Sequence, residues 1–347
     1  DYIEERFRKA GLKTWNGSSS YRQPFTLLRT TPLSAEVTID GAALPANHVV
    51  AITSSTDLTV DENSGYKKAY IRSGGDFRAA ARSYLHGNEN LVVFVDTAYS
   101  ASFPMLTRSA RQGFKSGRSV IFLLSNADPA HYNVHIRQDV KETPLANVVG
   151  ILPGTDKKNE IVIFSAHYDH LGVGKPDEKG DSIFNGANDD ASGTTAVLLL
   201  ADYFAKMKNN RRTLVFAAFT AEEIGEYGSQ YFSSQFDPAN VVAMFNIEMI
   251  GTGSKWGENS AYITGYERSD MGKILQQNLT GSSFTFYPDP YPQQQLFYRS
   301  DNASLARLGV PAHTISTSKM DSEKYYHTRG DEISTLDLEN MARIIKA

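Results

Sequence analysis

Two textures of hydrophobic and polar positions divide this chain. From Asn147 onward, apolar runs alternate with segments whose apolar residues recur every three or four positions. Residues 161–166 and 214–219 are such runs, the pattern of parallel strands covered on both faces. Between them Val197, Leu200, Ala201 and Phe204 mark one face of a helix. Further helical segments lead to a third strand, 241–247, and a fourth, 312–315, and the spacing predicts a last helix over 336–345, where Ser334 precedes Asp337 in a capping-box start. Strand then helix, repeated, predicts an α/β sheet with helices on both faces.

At the N-terminus Tyr2, Ile3, Phe7 and Ala10 fall at helical spacing, and Gly11 stands where a helix end favours a left-handed residue. From 32 to 143 the texture changes to short β-rich runs, 49–52, 91–95 and 120–124, separated by Gly, Ser and Asn clusters. One helical segment, 105–114, interrupts them. With 347 residues and 41% hydrophobic content the chain is long for one compact domain. Two units are expected: residues 1–31 with 144–347, and an inserted 32–143.

A net charge of -4 argues against a nucleic-acid partner, which would call for a basic face. A peptide or other small partner stays open. No apolar run approaches the roughly 20 residues of a membrane span. The first residue, Asp1, already lies in a helical pattern, so the expectation is a periplasmic or secreted protein whose signal peptide has been removed. Cysteine is absent, so any metal must be held by oxygen and imidazole.

The densest chemistry lies in Asn185-Gly186-Ala187-Asn188-Asp189-Asp190-Ala191-Ser192-Gly193, an acidic turn that empties into an apolar run. Read alone, it is a helix start, since small residues permit a tight backbone and carboxylates suit the positive end of a helix. Its neighbours add a second reading. His167 closes the first strand, with Asp169 two residues on; Glu222 and Glu223 follow the second; Glu248 ends the third; His327 lies in a later loop. The carboxyl ends of strands are where open α/β sheets gather their chemistry. Two carboxylates at the mouth of a buried strand need a partner, and a cation supplies one. Adjacent acids can also divide duties, one binding metal and the other acting as general base. Oxygen and imidazole ligands suit zinc, manganese or cobalt, and Asp189 is the natural bridge between two ions.

His167-x-Asp169, Asn185-Gly-Ala-Asn-Asp189-Asp-Ala-Ser-Gly193, Ala221-Glu222-Glu223-x-Gly225, Asn246-Ile-Glu248-Met and Tyr326-His327-Thr328 resemble the successive motifs of the co-catalytic dizinc aminopeptidases. That group includes bacterial leucyl aminopeptidases and has glutamate carboxypeptidases, glutaminyl cyclases and transferrin receptors as relatives. The resemblance implies a mixed, mostly parallel sheet of the zinc exopeptidase type and two zinc ions per chain. His167, Asp189 and Glu248 would hold one ion, and Asp189, Glu223 and His327 the other. Glu222 would be the general base, and Asp169 would orient His167. Residues 32–143 stand where many secreted members carry a protease-associated insertion. Glu248 replaces a frequent Asp, and Ser300-Asp301-Asn302 stands in place of Ser-Asp-His. Ser300 and Asp301 are expected to cap a helix over 303–308.

The expected activity is removal of N-terminal residues from peptides. A glutaminyl cyclase would manage with one zinc, and a receptor-like relative would lack a full ligand set. A carboxypeptidase would need a basic pocket, for which Arg299 or Arg329 are the candidates. Residues 281–295, rich in Tyr and Pro, suggest an aromatic wall beside the site or a plain surface loop.

Overall fold

In the computed structural model, which describes residues 1–347, the four predicted strands lie side by side and parallel in the order Ala312–Ser316, Val241–Ile247, Lys157–His167, Arg212–Phe219. Their carboxyl ends therefore share one edge of the sheet. Register aligns His167 with Phe219, Phe164 with Phe245, and Ile247 with Ile315. Antiparallel pairings on both sides of these four make the sheet mixed. Ser260–Ile263 runs antiparallel to Ala312–Ser316, and Thr285–Pro288 joins it in parallel. On the far side, the end of Tyr132–Leu152 pairs antiparallel with Arg212–Phe219.

Strand periodicity sorts the core onto both faces. Along Arg212–Phe219, Leu214, Phe216 and Ala218 pack with Phe7 of helix Tyr2–Ala10 and with Val197, Leu198 and Ala201 of helix Ser192–Met207. Val215, Ala217 and Phe219 point the other way, to Phe232 of helix Tyr227–Ser233 and Leu305 of helix Ala303–Ala306. A side-chain period of two accounts for this division. Phe164 stacks with Phe204, Phe216 and Phe245 at centroid separations of 5.7, 5.6 and 5.3 Å. Gly11 follows the first helix at φ 76°, the left-handed C-terminal residue its position predicted.

The chain divides into two units, 1–24 with 146–347 and 25–145. Both seams fall within continuous strands, Arg22–Ile39 and Tyr132–Leu152, so no loop marks them and the change of texture at 32 and 143 is displaced from them. The second unit has its own four-stranded sheet, ordered Val49–Ile52, Val120–Leu124, Leu91–Val95, Lys67–Ile71.

Two local expectations there need correction. The helix over 105–114 is only Leu106–Arg111, because Gln112–Phe114 pairs as a strand with residues 27–29. A second helix, Phe77–His86, was not anticipated; Asp76 caps it by accepting from the N–H groups of Arg78 and Ala79. Its apolar stripe of Phe77, Ala80, Ala81, Tyr84 and Leu85 contains two alanines and is correspondingly faint. In the first unit the last helix is Leu338–Lys346, capped by Asp337, whose carboxylate accepts from Asn340 N–H at 2.9 Å. Ser334 instead lies in a short 3₁₀ turn, so the capping box does not form. No helix is long and apolar enough to cross a membrane.

Candidate metal centre

His167 is the last residue of Lys157–His167, Glu222 and Glu223 lie just past Arg212–Phe219, and Glu248 immediately follows Val241–Ile247. Parallel strands bring these groups to one edge. Asp189 comes in from the turn Ala187–Ala191 that leads into helix Ser192–Met207, and His327 from the loop after Ala312–Ser316.

Asp189 is the centre of the cluster. Its Oδ1 lies 3.2 Å from His167 Nε2 and its Oδ2 lies 3.2 Å from His327 Nε2. His327 Nε2 is also 3.2 Å from Glu223 Oε2. His167, Asp189 and Glu248 offer ligand atoms all within 4.8 Å of one another, and so do His170, Asp189 and Glu223. Two atoms each about 2.05 Å from a tetrahedral zinc stand roughly 3.3 Å apart, so the repeated 3.2 Å separations suit ligands converging on a shared ion. His167 Nε2 is buried and makes no hydrogen bond, despite the nearby carboxylate oxygen. A cation between the two would satisfy both. The donor set of imidazole and carboxylate fits zinc.

The titration of these groups follows from burial against mutual attraction. Burial works to raise Asp189, yet His167 and His327 hold its carboxyl well below the usual range. Burial alone would lower His167; Asp189, Asp190 and Glu222 together carry it well above the ordinary imidazole value. For Glu222 burial pushes the carboxyl strongly upward, with Glu248, Asp301 and Glu223 adding to it against the pull of His167. Glu248 is likewise raised by burial, while Ser300 Oγ donates to its Oε2.

The supporting frame uses residues that the sequence reading left without a role. Asp331 is 1% exposed, and its carboxylate accepts from the N–H groups of Asn188 at 2.8 Å and Asp189 at 3.0 Å. Asp190 accepts from Gly193 N–H and Met249 N–H, both at 3.0 Å, tying the acidic turn to the end of the third strand. The helix-start reading of the acidic turn is thus only partly right: Asp190 serves a helical N–H, whereas Asp189 faces two histidines. A Cβ on Gly193 would stand 2.0 Å from the carbonyl oxygen of Ile247, so no other residue fits there. Ala221, Met249 and His327 all adopt positive φ, at 61°, 52° and 55°. Non-glycine residues pay for that conformation, and such strain collects at functional sites.

The relation of Asp169 to His167 takes a different form from the one expected. His167 Nδ1 lies 3.0 Å from the main-chain carbonyl of Asp169, and the Asp169 carboxylate is 3.8 Å away. That carboxylate accepts from Glu222 N–H instead. The capping role expected of Ser300 and Asp301 is not found. The N-cap is Asn302, without a side-chain bond, because Ser300 is engaged with Glu248 and Asn246. Asp301 is fully buried, and both its oxygens lack partners. Asn302 is structural, donating to the carbonyls of Phe297 and Ala312 and accepting from Thr314 Oγ1.

The two arginines separate cleanly. Arg329 donates to the carbonyl of Lys175 and lies over the Phe184 ring at 4.7 Å. Arg299 is exposed, with one long contact of 3.4 Å to the Gln294 carbonyl. It lines a cavity of about 50 Å³ beside Glu248, together with Met249, Tyr262, Leu296 and Tyr326. Within residues 281–295, Tyr291 is buried edge-on to Tyr262, and Tyr287 stacks on Trp256 at 4.2 Å. This segment therefore backs the cavity through Tyr262.

Residues 147–347 match Peptidase family M28. Leucine aminopeptidase 1 of Emericella nidulans is 30% identical over 206 residues, covering 56% of this chain and 51% of that protein. The protein of the same name from Paracoccidioides brasiliensis is 28% identical over 215 residues, covering 58% and 53%. The chain thus spans about half the length of the curated relatives it matches. Among solved structures, an aminopeptidase from Aneurinibacillus sp. strain AM-1 aligns with a TM-score of 0.54 at 19% identity, covering 99% of this chain and 84% of that one. A zinc aminopeptidase from Bacillus subtilis aligns with a TM-score of 0.51 at 16% identity, covering 99% and 85%. At these identities the likeness is one of fold.

Proposed function

This chain belongs to peptidase family M28, and we propose that it is a zinc-dependent aminopeptidase that uses two metal positions to release N-terminal residues from peptides. The observation that carries this reading is Asp189, whose two oxygens each stand 3.2 Å from a different histidine. His167, Asp189 and Glu248 would hold one ion, and Asp189, Glu223 and His327 the second. Bound there, zinc supplies Lewis acidity toward a carbonyl oxygen and toward water.

The chain's own groups do the rest. Glu222 takes the proton of the attacking water and returns it to the leaving amine. Asp169 fixes the main chain at Glu222, and Tyr326, stacked on His327 at 3.9 Å, limits the swing of that ring. The proposal includes residues 32–143 as an insertion outside the metal chemistry and a periplasmic or secreted location.

A second reading is favoured by Arg299 alone: a guanidinium with only a long contact to the Gln294 carbonyl, lining the cavity beside Glu248, suits a substrate carboxylate, as a carboxypeptidase requires. A panel of aminoacyl chromogenic substrates with N-acetylated controls tests the choice. The aminopeptidase reading expects hydrolysis of free amines and none of blocked ones. Equal hydrolysis of both, or hydrolysis of neither while N-blocked peptides with a free C-terminal carboxylate are cleaved, would overturn it.

A further inference from the structure

Two histidines compete for one place in the second metal position, and distance separates them. His327 Nε2 is 3.2 Å from both Asp189 Oδ2 and Glu223 Oε2, close to the roughly 3.3 Å edge of a tetrahedral zinc site. His170 Nδ1 is 2.6 Å from Glu223 Oε1 and 3.9 Å from Asp189 Oδ2. The first separation is too short for two ligands of one ion and is that of a short, charge-assisted hydrogen bond. The second is too long for a hydrogen bond. His170 also meets the other oxygen of Glu223, not the one facing His327.

We propose that His170 is a positioning residue for Glu223: its Nδ1–H donates to Oε1 and turns Oε2 toward the place where Asp189 and His327 converge. The inference rests on the two-metal reading above. An ionised carboxylate only accepts, so Nδ1 carries the proton, and Nε2, buried without a partner, plays no part in the bond.

The ring is held by packing. A Cβ at Gly186 would come within 2.6 Å of His170 Cγ and 2.9 Å of Cδ2, and the backbone there has φ 64°. Gly186 therefore gives the imidazole a flat seat and keeps the turn to Asp189 open. On another side the ring meets His327 edge-on, at a centroid separation of 5.7 Å. The small residue in the acidic turn and the histidine after Asp169 become parts of one device, which fixes a carboxylate before any metal arrives. Such outer partners commonly contribute 10–100-fold to metal affinity.

The test is calorimetric titration of zinc into metal-free protein without substrate, for wild type and three variants. His170→Phe keeps a ring on Gly186 and removes the donor. His170→Asn places an amide N–H near the position of Nδ1, and His170→Ala removes both. Wild type is expected to show two binding events. In His170→Phe and His170→Ala one of the two events should lose about 10–100-fold in affinity, while the other is unchanged. His170→Asn should recover most of that loss. Unchanged affinities in His170→Phe would overturn the inference while leaving the two-metal reading intact. Complete loss of one event in all three variants, Asn included, together with its retention in His327→Ala, would make His170 a ligand and overturn it too. A single event of one ion in wild type would overturn the two-metal reading, and this inference with it.

Discussion

The main-chain N–H of Glu222 donates to Oδ1 of Asp169 across 3.2 Å. Asp169 thus links the end of the first strand to the turn after the second, and its charge is spent on the proposed general base more directly than on His167. Asp169→Leu should therefore lower kcat by about 10–100-fold, as loss of an outer-shell partner commonly does, with zinc content near wild type. Asp169→Asn keeps an accepting oxygen and should recover part of the rate. Loss of zinc from Asp169→Leu in proportion to its loss of activity would return the residue to the role of orienting His167.

Glu222 and Glu223 are adjacent and chemically alike, yet they should fail differently. Glu222→Gln removes proton transfer, so turnover should fall by about 10²–10⁴-fold while zinc content and stability stay near wild type. Glu223→Gln puts a neutral amide beside Asp189 and His327 in place of a charged ligand. It should lower metal occupancy and the metal-linked part of stability. Excess zinc should rescue some activity in Glu223→Gln and none in Glu222→Gln. Metal analysis beside steady-state kinetics decides it, and identical behaviour of the two variants would refute the division of roles.

Chelation should abolish hydrolysis, and zinc should restore it at a stoichiometry near two ions per chain. Asp189 presents one oxygen to each histidine, and a single ion would leave buried carboxylates uncompensated. Full activity at one zinc per chain by elemental analysis would remove the dinuclear claim.

The four parallel strands were legible because each is buried on both faces and reads as an apolar run, and His167, Glu223 and Glu248 among the proposed ligands were legible because they follow or end those runs. Ser260–Ile263 and the edge strand Thr285–Pro288 are four residues each, too short for a periodicity to declare itself. Asp331 and Asp190 were illegible for another reason. Their work is to accept main-chain N–H groups from segments that come together only in the fold, and an isolated Asp carries no mark of that. Asp301 was misread because Ser-Asp ahead of an apolar stretch has the same appearance whether the carboxylate caps a helix or is buried beneath it. His170 had a signal that went unused, its place three residues after His167 and one after Asp169.

Glu226 gives a prediction about pH. Burial raises its carboxyl to about 7, against the pull of Arg307 and with a push from Glu248, while the unfolded chain keeps an ordinary value of roughly 4.3. Between these values the folded protein holds a proton that the unfolded chain has released. Stability attributable to Glu226 is therefore present at low pH, and falls as pH rises through that window by up to about 1.4 kcal/mol per unit. Glu226→Gln should flatten the curve, gaining on wild type between about pH 5 and 7 by denaturant unfolding of the metal-free protein. Parallel curves for the two proteins would show that Arg307, 3.9 Å away, keeps the carboxylate charged.

Asp331 should be the residue outside the ligand set whose loss most affects the metal. Its two oxygens accept from Asn188 N–H and Asp189 N–H at 2.8 and 3.0 Å, and its own carbonyl accepts from Ala187 N–H at 3.2 Å. The carboxylate thus holds the turn that presents Asp189 between the histidines. Asp331→Ala leaves two buried N–H groups without acceptors, at a cost of about 1–3 kcal/mol each. Asp331→Asn satisfies one and aims an amide N–H at the other, so it should fall between the alanine variant and wild type. Because the main chain of Asp189 is what loosens, both zinc positions should weaken together, unlike the single-site loss expected of Glu223→Gln. Thermal unfolding of the metal-free protein, followed by zinc titration, measures the two effects separately. Wild-type zinc affinity in a destabilised Asp331→Ala would mean that Asp189 is held by helix Ser192–Met207 alone.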